Sequence, residues 1–277
     1  MALVPESPYG DLIETTMRVV TWNVWGRLAD WEARCEAITQ TLARIAPDVV
    51  VLQESWAEPS KTQAGQIADR LGLEAAFARD VTYEGIDVGV ALLSRWDLHE
   101  VESRPLPVPA GEKPENVVLK AEVAGPRGPF LVFGTHLAPF PHRSQLRQEQ
   151  VRALASFVAD CQPQPYPAIV CGDFNAPPES DEIRLLTGVG EPAAPNLVFF
   201  DAWSMAGDGS PGYTVARVNP NASPLLMPDL RWDYIFVSWP SGLGGAGHPV
   251  SASLEGTDES NGVVPSDHYA VVADLRY

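Results

Sequence analysis

The sequence predicts an α/β fold of the α+β kind, in which two packed, mixed β-sheets are flanked by helices. Three observations carry this expectation. Short runs rich in β-branched residues recur along the whole 277-residue chain. Several of these runs are continuously apolar, as expected of strands covered on both faces. Helical spacing lies between some of them, without the strict βαβ alternation of a wholly parallel sheet. No internal repeat, low-complexity tract or change in composition divides the chain. One domain is therefore expected over residues 17–277, preceded by a flexible tail at 1–16.

In chain order, strands are predicted at Arg18–Asn23, Asp48–Gln53, Val88–Ser94, Val117–Val123, Phe130–His136, Ala168–Asp173, Trp232–Val237 and Tyr269–Asp274. Between the first two, Trp31, Cys35, Ile38, Leu42 and Ile45 fall on one helical face, and Pro47 stops that helix. A second helix is predicted at Ser144–Asp160, with Val151, Leu154, Ala155 and Val158 on its apolar side. A shorter one, Glu179–Leu186, follows Pro177-Pro178. The 26 Pro and 22 Gly are scattered, which suits many strands joined by surface loops and not a linker.

Nineteen basic against 36 acidic residues give a net charge of −17. Phosphate contacts supply most non-specific nucleic-acid affinity, so this balance disfavours a nucleic-acid partner. The hydrophobic fraction of 45% is ample for a large core. Three cysteines, Cys35, Cys161 and Cys171, form no CxxC pair and suggest neither a disulfide framework nor a zinc cluster. The polar N-terminal segment does not read as a signal peptide, and no apolar run is long enough to cross a bilayer. A soluble, cytoplasmic protein is expected.

Polar residues able to do chemistry gather where strands end. Thr21-Trp22-Asn23, Leu52-Gln53-Glu54, Thr135-His136 and Gly172-Asp173-Phe174-Asn175 close four strands. Arg231-Trp232-Asp233 opens one, and Ser266-Asp267-His268 precedes the last. Each has a bland alternative: Asn23 or Asp173 in an Asx-type turn, Glu54 a solvated acid, His136 a hydrogen-bonded structural histidine. Gly172 is read as letting the backbone turn, with Asp173 and Asn175 pointing to one side of an extended segment. Asp233, between two aromatic residues, needs a partner. His268 needs an orienting group from elsewhere, because adjacent strand residues point oppositely. Together these residues make an oxygen-rich set that suits Mg²⁺ or Mn²⁺. Six coincidences at strand ends are less probable than one site.

With Thr21–Gly26, Leu52–Glu54, Thr135–Leu137, Gly172–Asn175, Trp232–Phe236 and Ser266–His268 in this order, the chain resembles the endonuclease/exonuclease/phosphatase superfamily. Weaker matches are Gly89–Arg95, Asp201-Ala202-Trp203, and Arg147 with Gln150. The resemblance implies a deoxyribonuclease I-like, four-layered sandwich with its site on the rim between the sheets. It implies a metal-dependent phosphoric ester hydrolase. Asn23 and Glu54 would hold the metal, helped by Asp267. Asp173 would position or deprotonate water, with Asn175 orienting water or phosphate. His136 and His268 would bind the phosphate, and Asp233 would orient His268 or share a second metal.

Three substrate readings follow. The first is a phosphodiesterase or phosphatase acting on a small or lipid-derived ester, consistent with the acidic balance. The second, a repair nuclease, predicts a basic rim drawn from Arg27, Arg79, Arg95, His142, Arg143 and Arg147, with Tyr83 near the phosphate. The third is a non-catalytic binding module on the same scaffold, which the intact residue set disfavours.

Overall fold

The computed structural model describes residues 8–239, 243–260 and 262–277. Strands are β1 (Thr16–Asn23), β2 (Val49–Glu58), β3 (Lys61–Thr62), β4 (Glu74–Tyr83), β5 (Ile86–Ser94), β6 (Leu98–Pro105), β7 (Val117–Val123), β8 (Phe130–His136), β9 (Ile169–Asp173), β10 (Phe199–Asp201), β11 (Asp233–Ser238), β12 (Pro249–Glu255) and β13 (Ala270–Arg276). Helices are α1 (Trp31–Ile45), α2 (Gln63–Leu71), α3 (Ser144–Asp160), α4 (Asp181–Thr187) and α5 (Ala202–Ala206). One sheet runs β12-β13-β1-β2-β5-β4, with β3 paired to β2, and the other β10-β11-β9-β8-β7-β6. Each is antiparallel except for one parallel pair, β1 with β2 and β8 with β9.

The continuous apolar runs have the cause expected of them. Val19, Val51, Val132 and Ile235 face the space between the sheets. Their neighbours Val20 and Val50 face α1 and α2 across Ile38, Leu42 and Ile67. On the far side, Phe133, Val170 and Phe236 pack with Val151, Leu154 and Ile183 of α3 and α4. Both faces of both sheets are therefore covered, and the layers run helix, sheet, sheet, helix. Gly134 permits the close approach of the sheets, since a Cβ there would lie 2.7 Å from Val51 Cγ1.

Of the segment expected as a tail, residues 1–7 lie outside the described residues. From Tyr9 on the chain is fastened: Gly244 N donates to Tyr9 O at 2.8 Å, and Ile13 N donates to Gly244 O at 2.9 Å. Among the described residues no helix is long and apolar enough to cross a membrane.

Candidate active site

The parallel pairs bring four expected residues to one end of the sandwich. β1 and β2 deliver Asn23 and Glu54, while β8 and β9 deliver His136 and Asp173 in register with each other. β11, antiparallel to β9, begins there with Asp233 opposite Asp173. The segment before β13 is tied to the same edge: Ser266 Oγ donates to Asn23 O at 2.7 Å, and Trp22 Nε1 donates to His268 O at 2.9 Å.

Two local expectations are corrected. β2 does not end at Gln53 but continues to Glu58 through a bulge between Leu52 and Ser55. The bulge places Glu54 at φ 55°, and an extra residue of this kind re-aims a side chain. Gly172 does not turn the backbone. It lies within β9, where a Cβ would sit 2.2 Å from Thr135 O, so close strand contact demands the glycine. Left-handed backbone recurs at Trp25 (φ 55°) and Asn175 (φ 49°). Such conformations disfavour most side chains and gather at functional sites.

The side chains meet. Asn23 Nδ2 donates to Glu54 Oε1 at 3.0 Å and to Asp173 Oδ2 at 3.1 Å, while its own Oδ1 accepts from Trp25 N. In this orientation Asn23 positions the two carboxylates through its NH2 group. His136 Nε2 lies 3.6 Å from Asp173 Oδ2, and His268 Nδ1 lies 3.9 Å from the same atom. His268 Nδ1 is 2.8 Å from Asp233 Oδ2, which supplies the orienting partner its position requires. Asn175 N donates to Asp173 Oδ1 at 2.8 Å, and Asn175 Nδ2 donates to Leu137 O at 3.1 Å. Asp267 Oδ1 accepts from Ser266 Oγ at 3.2 Å.

Electrostatics follow from this crowding. Burial alone would depress the imidazole pKa of His268, but Asp233, Asp267 and Asp173 raise it well above its usual value. His136 behaves alike: burial lowers it, while Asp173, Glu54 and Asp80 bring it above normal. Burial pushes the Asp267 carboxyl up to about 6, with nearby Glu54 adding to the rise. Asp173, Asp233 and His268 lie close enough to suggest a cation trio. The 2.8 Å contact between His268 Nδ1 and Asp233 Oδ2 engages two of these three groups with each other, in a pair that favours the protonated imidazole. Among the described residues no cationic side chain is bonded to Glu54 or Asp267, and as oxygen donors they fit a hard divalent ion. Cys171 offers no alternative ligand, being buried in the core between the sheets.

Residues not singled out from the sequence hold this arrangement. Arg34 of α1, 3% exposed, donates to the carbonyls of Val24, Trp25, Gly26, Leu28 and Pro265, and so fixes both loops flanking Asn23 and Asp267. Asn116 Nδ2 donates to His136 O at 2.9 Å and is itself held by Gln150. Asp80, buried at a bulge in β4, accepts from Val117 N at 2.9 Å and contributes to the His136 charge. The one legible sign of Asp80 was a carboxylate among Phe77, Ala78 and Val81. A cleft of about 630 Å³ is lined by Pro177, Trp203, Tyr213 and Arg231 among others, and none of the candidate site residues lines it.

A model of the Endonuclease/Exonuclease/phosphatase family matches residues 20–268. A search of curated proteins finds no match. Among solved structures, truncated TDP2 of Caenorhabditis elegans is similar at TM-score 0.75 and 20% identity, over 96% of this chain and 100% of that one. D. rerio TDP2 complexed with single strand DNA product is similar at TM-score 0.74 and 21% identity, over 95% and 100%. The human Nocturnin catalytic domain with bound sulfate anion is similar at TM-score 0.71 and 24% identity, over 96% and 94%. At these identities the likeness establishes the deoxyribonuclease I-like fold.

Proposed function

The chain belongs to the endonuclease/exonuclease/phosphatase family, and from that membership we propose that it is a divalent-metal-dependent hydrolase of a small or lipid-derived phosphate ester. The observation that carries this reading is the convergence of Glu54, Asn23 and Asp173 at hydrogen-bond distance, with His136 and His268 both turned to Asp173. Glu54 and Asp267, braced by Asn23, would hold Mg²⁺ or Mn²⁺. When bound, such an ion neutralises phosphate charge and acidifies water.

The chain's own residues then have distinct tasks. Asp173 accepts the proton of an attacking water, its carboxylate fixed by Asn23 and by the Asn175 backbone. Asn175 keeps its side-chain carbonyl for water or phosphate. His268, held charged by Asp233, presents Nε2–H to a phosphate or leaving oxygen. His136 adds a second positive charge beside the same carboxylate. Preorganised charges of this kind are commonly the largest contribution to phosphoryl-transfer rates.

A second reading, nucleic-acid cleavage, draws on the DNA product bound to the zebrafish TDP2 neighbour. The basic rim it requires is neutralised within this protein. Arg27 meets Glu58 at 2.7 Å, Arg143 meets Glu112 at 3.2 Å and Arg79 meets Asp87 at 3.9 Å, while Arg95 lies at the opposite end of the sandwich, beside Asp48 where β2 begins. Arg147 is buried against Glu182 at 2.7 Å. His142 stacks on Phe140, and Tyr83 is 69% exposed.

Purified protein should hydrolyse bis-p-nitrophenyl phosphate with Mg²⁺ or Mn²⁺, and EDTA should stop it. Turnover without metal refutes the proposal. Mg²⁺ should also raise the melting temperature of the wild type but not of Glu54→Gln, since a ligand stabilises only the state that binds it. A panel of sphingomyelin, inositol phosphates, nucleotides, abasic DNA and single-stranded DNA then ranks the substrates. DNA cleavage without activity on the other esters favours the second reading.

A further inference from the structure

The rim of the site carries an apolar arm. Eleven consecutive residues, Val218 to Pro228, contain no charged side chain in a chain of net charge −17. At the arm's surface Leu226 is 91% exposed, Val218 85% and Leu225 54%. Water around such side chains is costly, and scattered single cases are ordinary. Here the placement is not scattered. The arm's two ends are closed by an ion pair, with Arg217 N donating to Asp229 Oδ1 at 2.7 Å and Arg217 Nε to the same oxygen at 3.2 Å.

The arm is also fixed relative to the catalytic groups. Asn219 Nδ2 donates to Ser266 O at 2.9 Å and to Asp267 O at 3.1 Å, and Asn221 Nδ2 donates to Val264 O at 3.1 Å. Asn219 is 1% exposed, so these bonds are sheltered from water. Leu226 itself sits at φ 54°, a conformation that costs a leucine free energy. The same end of the sandwich exposes Leu28 in the loop after β1, Tyr83 in the β4–β5 turn and Phe140 in the loop after β8. The loops that leave the site's own strands thus present apolar side chains, while the nearby arginines are paired with carboxylates.

Resting on the phosphoesterase reading above, we infer that this apolar rim, led by Leu225 and Leu226, docks the site onto a neutral, zwitterionic lipid surface and draws its phosphoester substrate from that interface. A protruding tip without charge suits insertion among acyl chains. Arg27, Arg79, Arg143 and Arg217 each face a carboxylate, and the acidic surface repels an anionic membrane. Anchoring through Asn219 and Asn221 keeps the inserted tip in register with Asp267 and His268.

The test is flotation of full-length protein with phosphatidylcholine vesicles in moderate salt. The variant combines Leu225→Ser with Leu226→Asn, because asparagine accepts the left-handed backbone. Circular dichroism confirms that it folds. Val189→Ser, altering an apolar side chain 68% exposed after α4, is the control. Wild type and control should float, and the double variant should bind at least about tenfold more weakly. Failure of wild type to float, flotation only with anionic vesicles, equal flotation of the double variant, or equal loss in the control each overturns the inference. Turnover of the soluble diester reports separately on the phosphoesterase reading. Flotation without turnover would remove that reading alone, and turnover without flotation would remove docking alone.

Discussion

Outside the strand-end set, Asp80 is a buried carboxylate whose ionisation is strongly altered by its surroundings. Burial raises its carboxyl to about 7, with a further rise from Glu54 and an opposing pull from His136. An unfolded aspartate titrates near about 3.9. The folded chain therefore binds the extra proton between those values, and stability from this group is greatest below about 4 and is lost as pH rises through about 7. The melting temperature in EDTA should fall from acidic to neutral pH. Asp80→Asn keeps an acceptor for Val117 N and should flatten that slope; an unchanged slope contradicts the assignment. Asp233 poses a different question, because it touches His268, the group proposed to meet the ester. Asp233→Asn should lower kcat by about 100-fold or more with KM little changed, the range for impairing a general acid or base. A comparable rise in KM with kcat unchanged would make Asp233 a binding residue.

Strand contacts explain why some elements were legible and others were not. Gly172→Ala would force a Cβ to within 2.2 Å of Thr135 O in the parallel β8–β9 pair. That backbone cannot yield as a flexible side chain would, so a loss of about 3 kcal/mol is expected, read as a fall in denaturant midpoint. His136 and Asp173 share this register, so metal-supported turnover should fall with it. The same pairing shows what sequence can reveal. Every predicted strand, from Arg18–Asn23 to Tyr269–Asp274, corresponds to an interior strand covered on both faces, where Val, Ile and Phe must run together. Of the five unassigned strands, β4, β6, β10 and β12 are the four ends of the two sheets, and the two-residue β3 pairs only with β2. β6 reads His99, Glu100, Glu102, Ser103 and Arg104 and is mostly exposed, so burial imposes no apolar pattern on it. β4 follows the same logic, and with it Asp80 went unseen. The short helix α2 escaped as well; its start rests on Thr62 accepting from Gly65 N and its end on left-handed Gly72. The strand-end residues were visible because interior strands make a polar terminus conspicuous. Arg34 was not, since an arginine on a helix reads as solvated until the five carbonyls around it are seen.

At the scale of the whole molecule, charge decides which phosphates can approach. Long-range attraction of a polyanion needs unpaired positive charge, and affinity for it falls steeply with salt as counterions return. This protein has 36 acidic residues against 19 basic ones, and its rim arginines already face Glu58, Asp87 and Glu112. Exposed pairs of this kind contribute little to stability, but they cancel field at the surface. On the proposed reading a small or zwitterionic ester loses little by this cancellation, because its recognition would be local to His136, His268 and an ion held at Glu54. A nucleic acid loses the sum of many phosphate contacts. Single-stranded oligonucleotide should therefore fail to inhibit turnover of bis-p-nitrophenyl phosphate, at low salt as at physiological salt. Turnover itself should vary little with ionic strength, since the groups proposed to meet the ester are buried or half-buried and so screened weakly. Inhibition that is strong at low salt and vanishes as salt is added would mean a continuous positive path leads to the site, and the arginine pairs would then have to open when the substrate binds.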